Sequence, residues 1–326
     1  MAEQPMVDVR DLKVRFRRGN QTVSAVNGVS LAVARGEVLA LIGESGSGKS
    51  VTLRALMRLH PERTTTIDGQ IHIDGQDVMA FSKRQLRALR GPVAAMVFQE
   101  PLLAMDPVYT VGAQIIEALR QHRSRSYAEA RQEALDALRR VRIPSPEQRL
   151  DAYPHEMSGG MRQRAMIALA LACQPRLLLA DEPTTALDAT VQIQILILLR
   201  ELQQDLGLSI VFVTHDIGAA VEVADRVAVM YGGRIVEQAP LQELLNNPLH
   251  PYTQVLLSTR PKGGLRKGER LVSIPGSPPD LMRLPAGCAF SPRCPRASDK
   301  CHSQLPDSQN VIAGHQVRCH HWMTAH

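Results

Sequence analysis

Gly43-Glu44-Ser45-Gly46-Ser47-Gly48-Lys49-Ser50 follows directly on the apolar run Val38-Leu39-Ala40-Leu41-Ile42 and leads into a helix-compatible stretch from Ser50 to Leu59. The octet satisfies the phosphate-loop pattern G-x-x-x-x-G-K-[ST] without a mismatch. Five consecutive apolar residues read as a strand buried on both faces, as in a parallel sheet. Strand, glycine-rich loop and helix in this order predict an α/β core with a phosphate cradle. Gly43, Gly46 and Gly48 let the loop bend so that its N–H groups converge on phosphate oxygens at the positive end of the helix. Lys49 is placed to neutralise β- and γ-phosphates, and the Ser50 hydroxyl to ligate Mg²⁺.

Leu177-Leu178-Leu179-Ala180-Asp181-Glu182 reads as a second buried strand with two carboxylates at its C-terminal end, where open α/β sheets bind their ligands. Asp181 is positioned to hold Mg²⁺ through water, and Glu182 to polarise the water that attacks the γ-phosphate. A third strand, Ile210 to Thr214, ends at His215-Asp216. His215 there is within reach of a γ-phosphate, although a strand-end histidine taken alone is more often structural. Gln99 ends the apolar run 93–98 and is placed to sense Mg²⁺ and the attacking water.

Further along the chain, 7–16 and 26–34 read as strands, as does 70–78 with Asp74-Gly75 as a turn. From about 110 to 174 the pattern is helical, with an amphipathic charged stretch at 126–142. Strand signals return at 176–181 and 209–214, flanking a helix at about 189–205, and 226–238 reads as a hairpin through Gly232-Gly233. Strands alternating with helices predict a parallel sheet. The helical stretch of about 105–170 forms a subdomain of a domain spanning 1–244, and 245–326 is a Pro- and Gly-rich, irregular extension.

Composition narrows the function classes. The chain has 326 residues and 3% aromatics, so its core is aliphatic. No apolar run approaches the ~20 residues that span a bilayer, and the first residues lack the basic-then-apolar order of a signal peptide. The product is expected in the cytosol, free or held by a partner. Residues 245–326 carry 10 Lys/Arg against 4 Asp/Glu, whereas the remainder carries 28 of each, so the whole net charge of +6 resides in the tail. Such an excess suits an acidic partner, anionic headgroups or nucleic acid, and is most often plain solvated surface.

Met157-Ser158-Gly159-Gly160-Met161-Arg162-Gln163-Arg164 adds a segment that generic phosphate-loop ATPases lack. With it, about 240 residues resemble the nucleotide-binding subunit of an ATP-binding-cassette (ABC) transporter. The resemblance implies a P-loop NTPase core with an antiparallel β subdomain and a helical subdomain. It matches Phe16 to the aromatic that stacks on adenine. Gly43, Ser45, Gly46, Ser47, Gly48, Lys49, Ser50 and Val51 match the Walker A region, and Gln99 matches the Q-loop, with Ser50 and Gln99 on Mg²⁺. Asp181 closes Walker B and Glu182 is the catalytic carboxylate; Asp188 lies in the D-loop and His215 is the switch histidine. Ser158, Gly159 and Gly160 would cap the γ-phosphate held by a second cassette, so that ATP is clamped between two protomers. Position 161 departs from the family's commonest pattern, Met standing where Gln is usual. The backbone donors of the segment do not depend on that side chain.

Tyr153 to Gly160, Asn247-Pro248-Leu249-His250-Pro251-Tyr252-Thr253-Gln254 and the Cys-containing tail resemble the oligopeptide/dipeptide importer branch. The bland reading of His250-Pro251-Tyr252 is a turn packed on the core. The branch implies a second, different ABC ATPase subunit, two transmembrane permease subunits, an extracytoplasmic solute-binding protein, and a peripheral position on the cytoplasmic face of the inner membrane. It implies no nucleic-acid partner; a soluble ABC ATPase acting on nucleic acid or the ribosome is the alternative. Cys288, Cys294, Cys301 and Cys319 are spaced C-x5-C-x6-C-x17-C, without the C-x2–4-C knuckle of most structural zinc sites. Thiolates alone suit an iron–sulfur cluster or an all-thiolate zinc site. His302, His315, His320 and His321 keep a mixed zinc site open, and ordinary reduced cysteines are a third reading. Similar tails in the branch are associated with a [4Fe-4S] cluster. Cys173, in an apolar helix, is expected to be packed in the core.

Overall fold

Aliphatic runs bounded by turn residues become the strands: β1 Val7–Arg18, β2 Gln21–Val33, β3 Val38–Ile42, β4 Thr65–Ile73, β5 Gln76–Asp77, β6 Ala94–Val97, β7 Leu177–Asp181, β8 Ser209–Thr214, β9 Arg226–Tyr231, β10 Arg234–Pro240, β11 Gln309–Ile312 and β12 His315–Val317. The computed structural model describes residues 4–19, 21–258, 274 and 276–322. Part of the expected C-terminal extension, 259–273, 275 and 323–326, therefore lies outside the described residues. The chain divides into two compact units. One gathers the stretch up to Met6, Val33–Glu37 and Asp74–Val213; the other gathers Val7–Ala32, Val38–Ile73 and the chain from Thr214 onward.

In the first unit β6, β7 and β8 run parallel, Ala94 opposite Leu177 and Leu177 opposite Ser209. Every residue of these three strands is buried, which is why they read as unbroken apolar runs rather than alternating ones. Helix Gly159–Leu171 lies against β6 and meets helix Tyr127–Arg140, which in turn packs on Val111–His122 and Pro146–Leu150. The charged stretch at 126–142 forms a helix because Ser126 and Glu129 close a capping box at its start. Its Ala130, Ala134 and Leu138 share one buried face, the i, i+4 spacing of an amphipathic helix. Cys173 is buried, as expected, and its thiol donates to the Ala118 carbonyl.

In the second unit β1 pairs antiparallel with β4 from Val7–Ile73 to Phe16–Thr65, with a register shift between Arg10 and Lys13. Asp11 takes φ 48° there, the local kink of a bulge. The strand expected over 70–78 runs from Thr65 to Ile73, and the Asp74-Gly75 turn has φ 51° and 76°. β3 is parallel to β9, and β9 turns back antiparallel into β10. The tail is less irregular than its composition predicts. β12 adds to β10 through Glu237–Val317 and Gln238–Gln316, and β11 pairs with β12. Gln309 to Val317 lacks the apolar alternation of a half-buried strand; pairing on an existing edge, not propensity, orders it.

Candidate active site

The phosphate loop is shaped by what surrounds two of its glycines. Gly43 has φ 151° and Gly48 φ 102°. A Cβ on Gly43 would stand 2.2 Å from the Met230 carbonyl oxygen, and one on Gly48 2.5 Å from that of Ala25. The loop therefore lies directly on backbone, and only glycine fits. Lys49 is 4% exposed, and its Nζ donates to the carbonyls of Gly43 (2.8 Å) and Glu44 (3.0 Å). The ammonium is thus held over the loop rather than released to solvent. Gly48 is the N-cap of helix Lys49–Leu56. Ser47 Oγ is buried and has no hydrogen-bond partner among the described residues. A buried hydroxyl without a partner costs about 1–3 kcal/mol, which an anion bound in the loop would offset. Ser45 is exposed, Ser50 and Val51 are half-buried, and the Val51 carbonyl meets His60 Nε2 at 2.9 Å. The half-buried Phe16 ring stands edge-on to His60, 5.2 Å between centroids. His215, in the same unit, is exposed just past β8, and Asp216 beside it caps the next helix through Gly218 N–H.

In the first unit the strand-end carboxylates are held firmly. Asp181 is fully buried and Glu182 is 9% exposed. Gln99 Nε2 donates to Glu182 Oε2 (3.3 Å), and Thr185 Oγ1 donates to the same oxygen (3.0 Å). Glu182 sits at φ 47°, a left-handed conformation that costs a non-glycine residue about 1–3 kcal/mol and concentrates at functional positions. Its N–H still donates to the Val213 carbonyl, so the strain is fixed by β8. Ser158 and Asp188 cap successive helices: Ser158 Oγ accepts from Met161 N–H at 3.3 Å, and Asp188 Oδ1 from Val191 N–H at 2.9 Å. A Cβ on Gly160 would meet Val191 Cγ1 at 2.7 Å, so the two helix starts are in contact. Ser158 is exposed and Gly159 half-exposed. Met161 contributes to the cap through its backbone, which is indifferent to the missing amide.

These motifs recur in known proteins. Residues 26–185 match the ABC transporter family, and residues 236–301 match the oligopeptide/dipeptide transporter C-terminal region. A putative peptide import ATP-binding protein of Brucella melitensis is 48% identical over 333 residues, covering 99% of this chain and 98% of the relative. The chain belongs to the ABC transporter family. A probable peptide ABC transporter ATP-binding protein of Sinorhizobium fredii is 48% identical over 315 residues, covering 96% of this chain and 94% of its own length. Among solved structures, the dimeric bacterial ABC transporter cassette MJ0796 superposes with TM-score 0.66 at 29% identity, covering 72% of this chain and 99% of that one. The same cassette bound to ADP and phosphate in a post-hydrolysis state gives 0.65. The fold is that of a P-loop ABC ATPase, and the chain is an ATP-hydrolysing cassette. No helix among the described residues is long and apolar enough to cross a membrane.

The tail of the cassette brings its four thiols to one small cavity, lined by Cys288, Cys294, Cys301 and Cys319 together with His320 and His321. All four cysteines are free. Burial pushes the Cys319 thiol up to about 11, with the other three thiols adding to the effect. Burial likewise raises Cys288 and Cys294. Among the described residues no group of three or more His, Cys, Asp or Glu is arranged so that it could hold a metal ion. The donor chemistry and shared cavity suit an all-thiolate site; the spacing of the side chains as they stand does not complete one. His315 is elsewhere engaged: its Nε2 donates to the buried Glu237 at 2.8 Å. His320 and His321 bond Gln304 and Ser298.

Reading the sequence missed Glu237, a charge with no motif around it. It is 1% exposed and accepts from Leu249 N–H, His250 N–H and His315 Nε2. Burial lowers His250 to about 4, so its neutral ring can accept from Tyr252 N–H through Nδ1. His250, Pro251 and Tyr252 are buried against the core, as the bland reading has it, but they open the helix Pro251–Ser258 rather than form a turn.

Proposed function

We propose that this ATPase energises import of peptides or related small solutes across the inner membrane. Full-length relatives named as peptide import ATP-binding proteins carry that reading, and nothing comparable favours a soluble ATPase acting on nucleic acid or the ribosome. We assign 1–244 to the nucleotide-binding domain, with a helical subdomain at about 105–170, and 245–326 to the extension. Lys49, the loop N–H groups and Ser47 would hold the phosphates of ATP, and Phe16 its adenine. Ser50 and Gln99 would hold Mg²⁺, with Asp181 acting through water; the ion supplies charge neutralisation when bound. Glu182 would orient and polarise the attacking water, aided by Gln99, and His215 would approach the γ-phosphate.

Ser158, exposed at a helix start, and the half-exposed Gly159 and Gly160 would serve a second cassette's nucleotide, with Asp188 beside them. The partners would be that second ATPase subunit, two transmembrane permeases that hold the chain at the cytoplasmic face, and an extracytoplasmic binding protein. The finer proposal for the tail is a [4Fe-4S] cluster on Cys288, Cys294, Cys301 and Cys319; the donor chemistry of four thiols lining one cavity supports it, and the thiols would have to rearrange around the cluster, since as they stand they form no metal-holding group among the described residues. Affinity purification from membranes tests the main reading. Permease subunits and a second cassette should co-purify; a chain recovered only with nucleic acid would refute it.

A further inference from the structure

The phosphate loop contains a carboxylate of its own. Glu44 is the second residue of the octet, and a negative charge there would repel a triphosphate. The structure compensates it from the far end of the sequence. Arg293 Nη1 donates to Glu44 Oε2 at 2.7 Å and Nη2 to Oε1 at 3.1 Å, the two-pronged geometry that makes guanidinium–carboxylate pairs strong. The Arg293 side chain is 6% exposed. Its Nη1 also donates to Tyr231 Oη (3.0 Å), and Nη2 donates to the Ile274 carbonyl (3.3 Å). The same residue of the loop is held at its backbone: Glu44 N–H donates to Tyr252 Oη at 2.9 Å, and its carbonyl accepts from Lys49.

The turn that carries Arg293 is anchored. Phe290 is 1% exposed and packs on Tyr231 (5.2 Å between centroids) and Tyr252 (5.4 Å). Tyr231 and Tyr252 are themselves 4.5 Å apart. In a chain with 3% aromatics, gathering three of them here makes a rigid seat. A fork fixed this way holds its partner without paying again for side-chain entropy.

We infer that the C-terminal extension is part of the nucleotide site: Arg293 neutralises and turns aside the Glu44 carboxylate, and Tyr252 fixes the Glu44 backbone, so that the loop accepts a triphosphate. Both are positioning residues, acting on phosphate through Glu44. The inference rests on the reading of 43–50 as the phosphate cradle.

The test is equilibrium binding of a fluorescent ATP analogue with Mg²⁺ to the full-length chain. Arg293→Met keeps the bulk and removes the charge; it should weaken binding about tenfold, within the range that changes in a supporting network produce. Adding Glu44→Gln should restore most of that loss, because no charge then needs a partner. Arg293→Lys, which keeps charge but not the fork, should fall between wild type and Arg293→Met, and covers the case in which the latter fails to fold. Affinity unchanged in both Arg293 variants, or a double variant no better than Arg293→Met, would overturn the inference. Lys49→Ala separates the layers: if it binds nucleotide normally the cradle reading itself fails, whereas its loss of binding beside intact Arg293 variants defeats only this inference.

Discussion

Glu237→Gln isolates the buried hub that joins the tail to the β9–β10 hairpin. The carboxylate accepts three hydrogen bonds, Leu249 N–H at 2.7 Å and His315 Nε2 at 2.8 Å on Oε1, and His250 N–H at 2.9 Å on Oε2. A carboxylate offers only acceptors; an amide offers one oxygen and an NH₂. In either orientation the new NH₂ faces at least one backbone N–H that has no other partner among the described residues, a cost of about 1–3 kcal/mol. The charge that balances His315 is also lost, and breaking a buried pair from one side costs about 3–5 kcal/mol.

Taking about 3 kcal/mol, and the low end of the roughly 2–4 °C per kcal/mol seen for chains of 150–250 residues, Tm should fall by about 6 °C. The pH dependence gives an independent check. Burial alone would lower His315, but its bond to Glu237, reinforced by Glu243 Oε1 at 3.5 Å from Nδ1, outweighs that and raises it. A raised folded-state value means that the contribution is complete below the unfolded value of about 6.5 and is lost as pH climbs through the folded one. Wild type should therefore lose stability over that window, and Glu237→Gln should lose less. Thermal unfolding of the full chain by circular dichroism between pH 6 and 9 reads both. A Tm within about 1 °C of wild type, or an unchanged pH slope, would refute the hub's energetic role.

Glu182→Gln should cut ATP turnover by at least about a hundredfold while trapping nucleotide in a closed pair; normal phosphate release would remove Glu182 from its assigned role. Gly43→Ala drives a methyl into the Met230 carbonyl and should abolish nucleotide binding with a stability loss of about 1–3 kcal/mol, seen by fluorescence titration and melting. Anaerobically purified protein should absorb near ~400 nm and carry iron if the tail thiols hold a cluster; colourless, iron-free protein would defeat that assignment. Exchanging Ser126 for Ala removes one half of a capping box and should lower stability by about 1 kcal/mol without affecting ATP affinity, measured by denaturant titration.

Local chemistry made much of the site legible. The Lys49-Ser50 pair, the carboxylates after four apolar residues at 177–180, and Ser158 ahead of Gly159-Gly160 are contiguous patterns, and each stands where its strand or helix boundary was expected. Gln99 and Glu182 are 83 residues apart, yet each was readable because it follows closely on a buried strand, β6 ending at Val97 and β7 at Asp181. Glu237, Arg293 and the strands at 309–317 were not readable. Nothing near Glu237 in sequence distinguishes it from a surface glutamate, and Gln309 to Val317 has no periodicity to detect.

The nucleotide-binding α/β cassette was already written in the chain itself, since helix caps, buried strands and the glycine-rich motif are set by residues close together in sequence. The attachment of the extension came from folding alone: β12 on the edge of β10, His315 on a buried carboxylate, and an arginine 249 residues beyond Glu44 set against the phosphate loop. Pairing energies between distant groups depend on a separation and a burial that exist only once the chain has folded, so no local pattern records them.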